Sequence, residues 1–487
     1  MRTDNRRLPI APRSMPSDRH PDPSDTHDTI DTIDILVPIG ALGMGVNADD
    51  VAAGITAGAH AIACDAGSTD SGPAYLATGL AKYSRDAVKT DLAILMRAQA
   101  AAGIPLLIGS CGTSGSDAAL DWTHDIAREI AREEGLAPRI ALLYSEQSPG
   151  AMAQCARTGR IAPLAPMTDA EPMRFEACDH IVALMGPEPY IAALEAGADI
   201  VLGGRTTDTA VLAAVPLMRG AGVGAAWHAG KIAECGGLCT ERPRNGGVLI
   251  RVGAEHFDVL PLSPGNRCTV ETVSAHMLYE NSDPFLLHEP GGILDVTGAR
   301  YVAIDDRSVR VTGSRFVPRP YTLKLEGAAG GAFQTLMLVG IQDRKVLADI
   351  DAFLVRMHEV LTARVRAAMG ERAGVFDISL RPYGWNAVDG TPVAPGGAVP
   401  REIGLLFVAT AASQGIATQI AKTCNPWLFH LPPEEGDAMP SYAFPFSPAE
   451  IERGQVFEFK LNHVVSVDDP AELVRTVFAA RQESAHD

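Results

Sequence analysis

The run Ile104-Pro105-Leu106-Leu107-Ile108, followed at once by Gly109-Ser110-Cys111-Gly112-Thr113-Ser114-Gly115, decides how the rest of this 487-residue chain is read. The apolar residues suit a short buried strand, and the glycines and hydroxyls after them suit a tight loop before a helix. That helix should stop at Gly135. The same order recurs on either side. Upstream, Ala61-Ile62-Ala63-Cys64-Asp65 runs into Ala66-Gly67-Ser68-Thr69-Asp70-Ser71-Gly72. Downstream, Ile200-Val201-Leu202 opens into Gly203-Gly204-Arg205-Thr206-Thr207-Asp208. Further strands are expected at Ile35 to Val37 and Ile140 to Tyr144, with Asn47 capping a helix between them. Strands alternating with helices need crossover connections. The expected class is therefore α/β, with a mainly parallel sheet and crossover helices. Loops at the carboxyl ends of such strands gather on one edge, where ligands bind, so 65–72, 109–115 and 203–208 are expected to line one cleft.

Beyond Cys235 the texture becomes strand-rich, giving a middle section expected to run to about Tyr321. Thr269 to Glu280 reads as a capped helix. Tyr321 to Leu325 reads as a strand entering a glycine turn at Gly327 to Gly331, and Val346 to Met369 as a long amphipathic helix. A smaller α+β unit is expected over 375–487, with strands at Phe376, Ile403 and Phe457 and a last helix from Pro470. The main α/β region is expected to span 34–374. Residues 1–33 hold hardly any apolar side chains, cannot offset their ordering entropy, and are expected to form a disordered tail.

The chain carries 41 Lys and Arg against 59 Asp and Glu, a formal charge of −18. Such a surface repels a phosphate backbone, which argues against nucleic acid as a partner. No apolar run is long enough to span a membrane, so a cytoplasmic protein is expected. The eight cysteines contain no CxxC pair and are expected to be reduced thiols. No nucleotide-binding glycine signature is present. No cofactor is expected, no metal ligand is singled out, and use of a divalent metal is left open.

The candidate site follows from these loops. Glycine backbones and hydroxyls can surround an anion, so Ser68, Thr69, Ser110, Cys111, Gly112, Thr113, Gly204, Thr206 and Asp208 are candidate substrate contacts. Arg205 could fork onto a carboxylate, with a structural ion pair as the competing reading. Asp65 and Asp70 are candidate catalytic acids or bases. The run Trp227-His228-Ala229-Gly230-Lys231-Ile232-Ala233-Glu234-Cys235, if helical, groups His228, Lys231 and Cys235, and a partly buried Lys231 could act as a base.

Several stretches resemble the acyclic terpene utilisation (AtuA-like) family. They are DAGSTDSGPAYLATG at 65–79, GSCGTSGSDA at 109–118, ALEAGADIVLGGRTTDTAVLA at 193–213 and VSAHMLYENSDPFLLHEPGG at 273–292. RVTGS at 310–314 and FEFKLNHVVSVDDPAELVR at 457–475 join them. The resemblance implies a bacterial catabolic role beside acyl-CoA or organic-acid enzymes, and a smaller ferredoxin-like C-terminal domain. With the loops, it leads to the expectation of a hydratase-type lyase on a small carboxylic acid or its acyl-CoA thioester. Hydrolase or isomerase chemistry would use the same parts. A non-catalytic ligand-binding or scaffold subunit would need the loops but no titrating base. A small anionic organic substrate and a homo-oligomer are expected as partners.

Overall fold

Alternate residues of each central strand point to opposite faces, and both faces are covered. In this computed structural model, which describes residues 32–281, 283–393, 398–440 and 442–479, five strands lie parallel at the centre of a ten-stranded sheet. They are, in spatial order, Ile33–Val37, Ala61–Asp65, Leu106–Gly109, Ile200–Gly203 and Ile140–Tyr144. On one face, Leu36, Ile62, Cys64, Ile108 and Leu202 pack with Leu92, Leu95 and Met96 of the helix Arg85–Ala102 and with Ile126 and Ile130 of Asp117–Glu134. On the other, Ile35, Val37, Ala63, Leu107 and Val201 meet the helices Ala210–Met218 and Val223–Ala233. This period-two sorting of apolar side chains produces two cores, one per face.

The sheet is mixed rather than mainly parallel. On one side it continues antiparallel through Val248–Val252, His256–Pro261, Val309–Thr312 and Arg300–Ala303. On the other edge Arg475–Phe478 pairs antiparallel with Ile140–Tyr144, where a helix from Pro470 was expected. The helical reading fails because tertiary pairing takes Val477 and Phe478 into the sheet edge. Ile33, 3% exposed and paired with Val252, already belongs to the first strand, so the expected tail overlaps that strand by one residue. The rest of that expectation, over 1–31, lies outside the described residues.

A second sheet is antiparallel and built around the long strand Thr322–Ile341. The glycine turn expected at Gly327 to Gly331 is absent: the strand runs straight through, with register shifts beside Gly327 and Gly330. A Cβ on Gly327 would stand 2.6 Å from Leu461 and 2.8 Å from Cys178, so glycine serves close strand approach here rather than reversal. Thr322–Ile341 pairs with Ile403–Ala411 and Ile451–Ser466, and Phe376–Tyr383 pairs with Ile403–Ala411. The helices Ile350–Met369 and Gln414–His430 pack on this sheet. A boundary at 375 would therefore cut one sheet in two. A three-stranded sheet, Leu286–Glu289, Gly292–Asp295 and Arg315–Pro318, completes the strand-rich middle. Among the described residues no helix is long and apolar enough to cross a membrane.

Candidate active site

Asp65 ends its strand, and Arg205 to Asp208 follow the Ile200–Gly203 strand, so both loops emerge at the carboxyl edge of the parallel strands. They open into a cleft of two adjoining lobes, about 370 and 350 Å³ in volume, that share Asp208, Glu234 and Glu280. One lobe adds Asp65, Ser68, Asp70, Lys82 and Cys235; the other adds Arg205, Lys231, Glu289 and Lys324. Several elements distant in sequence thus meet at the edge where an open α/β sheet places its ligand site.

Arg205 is 4% exposed and fully engaged. Its Nε donates to Glu326 at 3.1 Å, Nη1 to Ser110 Oγ at 3.1 Å and Asp208 at 3.2 Å, and Nη2 to Thr69 Oγ1 at 3.3 Å. Glu326 also accepts from Thr69 at 2.7 Å and from Lys324 at 2.9 Å. Burial alone would raise the Glu326 pKa, but Arg205 and Lys324 outweigh it and hold it down at about 2. Glu326 is therefore an ionised counterion. In this structure the Arg205 fork meets protein partners, because a strand remote in sequence delivers the Glu326 carboxylate to it.

The front of the cleft has more carboxyl groups than cations to match them. Burial, then the charge of Asp208, raises the Asp65 pKa well above the carboxylate range; Oδ2 accepts from Gly67 N at 3.1 Å, and buried Oδ1 has no partner among the described residues. Burial also raises Asp208 and Glu234. It lifts Glu289 to about 7, against opposing hydrogen bonds from Thr209 and Thr207 and the charge of Lys231. Lys231 is 6% exposed and bonded to Glu234. Burial pushes its amine down, but Glu234, Asp208 and Glu289 outweigh this and hold the pKa above its ordinary value. Lys231 is accordingly an ammonium near neutral pH, not the free base expected from the sequence; its acidic neighbours overrule its desolvation.

Of the sequence-derived candidates, Asp65, Asp70, Ser68, Arg205, Asp208 and Lys231 come together around the cleft. Asp70 is exposed on its rim and accepts from Ser68 Oγ at 2.6 Å. Thr69 is buried and turned toward Glu326. The loop after Leu106–Gly109 is not a lining loop but the packed layer behind it. Its backbone bonds to the neighbouring turn: Ser110 N to Gly204 O, Cys111 N to Gly203 O, and Arg205 N to Gly115 O. A Cβ on Gly115, at φ +63°, would stand 2.2 Å from Arg205 N, which explains the glycine. Ser110, Cys111 and Thr113 are essentially unexposed, Gly112 packs on Ala119, and Gly204 and Thr206 are buried against Ser145 and Tyr190. These residues are packed behind the cleft rather than exposed in it. His228 points away, bonded to Ser314 at 2.7 Å and Tyr301 at 3.2 Å. All eight cysteines are free thiols, and the Cys239 thiol donates to Gly236 O.

Sequence reasoning passes over Glu234, His276, Glu280, Glu289 and Glu326. Glu234 stands inside the run 227–235, and His276, Glu280 and Glu289 inside 273–292. For these four the signal is the clustering of chemically capable side chains within the two runs. Burial and Lys231 push the His276 imidazole down to about 4, so it is neutral at pH 7.

The sheet edge and its buried carboxyl cluster define an α/β protein with a polar, acid-rich cleft. Residues 74–246 and 260–438 match the family described as acyclic terpene utilisation family protein AtuA, and the chain belongs to that family. Its context is therefore catabolic. No curated protein and no solved structure matches the chain.

Proposed function

We propose that the protein is a general acid–base enzyme, a lyase of the hydratase type acting on a small carboxylic acid or its acyl thioester. The observation that carries this reading is Glu289. A carboxyl group with a pKa of about 7, in one cleft with the Lys231 ammonium and the raised Asp65 and Asp208, is poised to exchange protons at neutral pH. In the dehydration direction, ionised Glu289 takes the proton beside the carbonyl. Lys231 stabilises the enolate-like charge. Protonated Asp65 gives its proton to the departing hydroxyl, which leaves as water. An anionic group distant from the reacting bond would meet Lys82, whose Nζ donates to Ser71 Oγ at 3.0 Å.

The test begins with thermal stabilisation by organic acids and acyl-CoA thioesters, then follows water addition to the unsaturated forms of those that bind. The expected kcat/KM profile has a limb near pH 7 that Glu289→Gln removes, with activity lower by roughly 10²–10⁴-fold. A limb that survives in Glu289→Gln would move the base elsewhere. Tight binding without turnover in any form would favour a ligand-binding subunit instead.

A further inference from the structure

We propose that Glu234, Cys235 and His276 bind one zinc-class divalent cation in the wall of the cleft. One donor atom from each lies within 4.8 Å of the other two. Glu234 and Cys235 directly follow the helix Val223–Ala233. His276 comes from a different element, at the end of Val270–Ala275, whose start is held by a capping box between Thr269 and Thr272. The independent observation is the imidazole itself. His276 is 4% exposed, its Nε2 is buried without a hydrogen-bond partner among the described residues, and that atom faces Glu234 Oε1 at 4.0 Å. Buried polar atoms in native proteins are nearly always satisfied, so this one points to an absent partner. A carboxylate already lies too far for a hydrogen bond and at a suitable distance for a shared ion.

The chemistry of the donors selects the ion. An imidazole, a thiolate and a carboxylate suit zinc, whereas magnesium and calcium prefer oxygen donors alone. Zinc bonds of about 2.0–2.3 Å place tetrahedral donors about 3.3–3.8 Å apart, so small side-chain rotations close the site. Three protein ligands leave a fourth position open toward the cleft, the arrangement of zinc sites that bind substrate or water. On binding, the Cys235 S–H bond breaks, its proton passes to solvent, and the sulfur electron pair forms the metal bond. Lys231, bonded to the same Glu234 oxygen, opposes the cation and must yield that oxygen to it, while the carboxyl surplus around Asp208 and Glu289 offsets the added charge. The inference goes beyond the acid–base reading, which assigns its steps to Asp65, Glu289 and Lys231.

The experiment uses the full chain purified without chelator and freed of any polyhistidine tag. Elemental analysis should find about one zinc per chain. Cobalt(II) added to chelator-treated protein should give a thiolate-to-cobalt charge-transfer band. Cys235→Ser should abolish that band, and both Cys235→Ser and His276→Ala should weaken zinc binding by roughly tenfold or more in a chelator competition. Cys239→Ser, at a neighbouring buried thiol, should retain the band and the affinity. Melting curves establish that each variant is folded. Folded wild-type protein that takes up neither ion, a band that persists in Cys235→Ser, or zinc affinity unchanged in folded His276→Ala would overturn the site. None of these readouts depends on turnover, so the metal site and the lyase reading fail separately.

Discussion

Behind the cleft, Arg205 meets Glu326, Asp208, Ser110 and Thr69, and the Glu326 charge has its partners. In front of it, Asp208, Glu234 and Glu289 surround Lys231, with Asp65 beside Asp208, and all four carboxyl pKa values are raised. The two regions sit on the same sheet edge and use the same residue types. Their difference is one of balance. The rear network pairs its charges and holds separate elements in register. The front group keeps more acid than its cations can match, so burial is incompletely offset and its carboxyl pKa values rise. Asp208 belongs to both, bonded to Arg205 while facing the cleft. The acid–base reading draws on this imbalance, since paired ions titrate far from pH 7 and incompletely paired ones can titrate near it.

The contrast can be broken most forcefully at its rear. Arg205→Met leaves Glu326 buried without its guanidinium and should lower unfolding free energy by about 3–5 kcal/mol in urea titrations. A variant of unchanged stability would mean that Arg205 is held for a ligand after all. The Glu326 carboxylate supplies the pH test of the same region. Its folded pKa, about 2, lies below the ordinary 4.5, so its contribution is present above pH 4.5 and fades as pH falls toward 2. That loss should be on the order of 3 kcal/mol, and Glu326→Gln should flatten the acid limb of stability measured against pH.

The front should respond with the opposite sign. Glu289 has a folded pKa raised from 4.5 to about 7, so its contribution is fully present below pH 4.5 and is lost as pH rises through 7. Glu289→Gln, with no charge to desolvate, should therefore be more stable than wild type at pH 8 by about 1–3 kcal/mol, while losing activity. A loss of stability at pH 8 would place Glu289 among the structural ion pairs and erase the comparison. The smallest effect belongs to the rim. Asp70 is exposed and bonded to Ser68, so Asp70→Asn should change the unfolding free energy by no more than about 0.5 kcal/mol. A larger change would extend the strained front out to the cleft mouth.

Part of the site is legible in the amino-acid sequence. Asp65 and Asp208 can be placed because each follows a strand whose apolar run is visible in the residues themselves. Glu289 and Glu326 cannot, since neither follows a parallel strand. Glu289 arrives on the three-stranded sheet and Glu326 on Thr322–Ile341, from more than 80 and 110 residues beyond Asp208 by position alone. The loop 109–115 misleads for the opposite reason. Its composition matches that of an anion-binding loop, but hydrogen bonds to Gly203, Gly204 and Arg205 use its backbone internally. Likewise, Val477 and Phe478 fit the end of a helix locally and become an edge strand only because Ile140–Tyr144 offers unpaired backbone.

Local periodicity, glycine placement and the strand–loop–helix order were enough to determine an α/β chain with its central strands, its flanking helices and the sheet edge where a ligand would bind. Those features depend on near neighbours, whose spacing the sequence displays directly. Which way the outer strands run, which loop faces the cleft, and whether Lys231 and Arg205 are free or paired were decided only by the tertiary structure. Those outcomes depend on groups distant in sequence, and a buried charge takes its pKa from whatever carboxylates or cations the fold brings beside it.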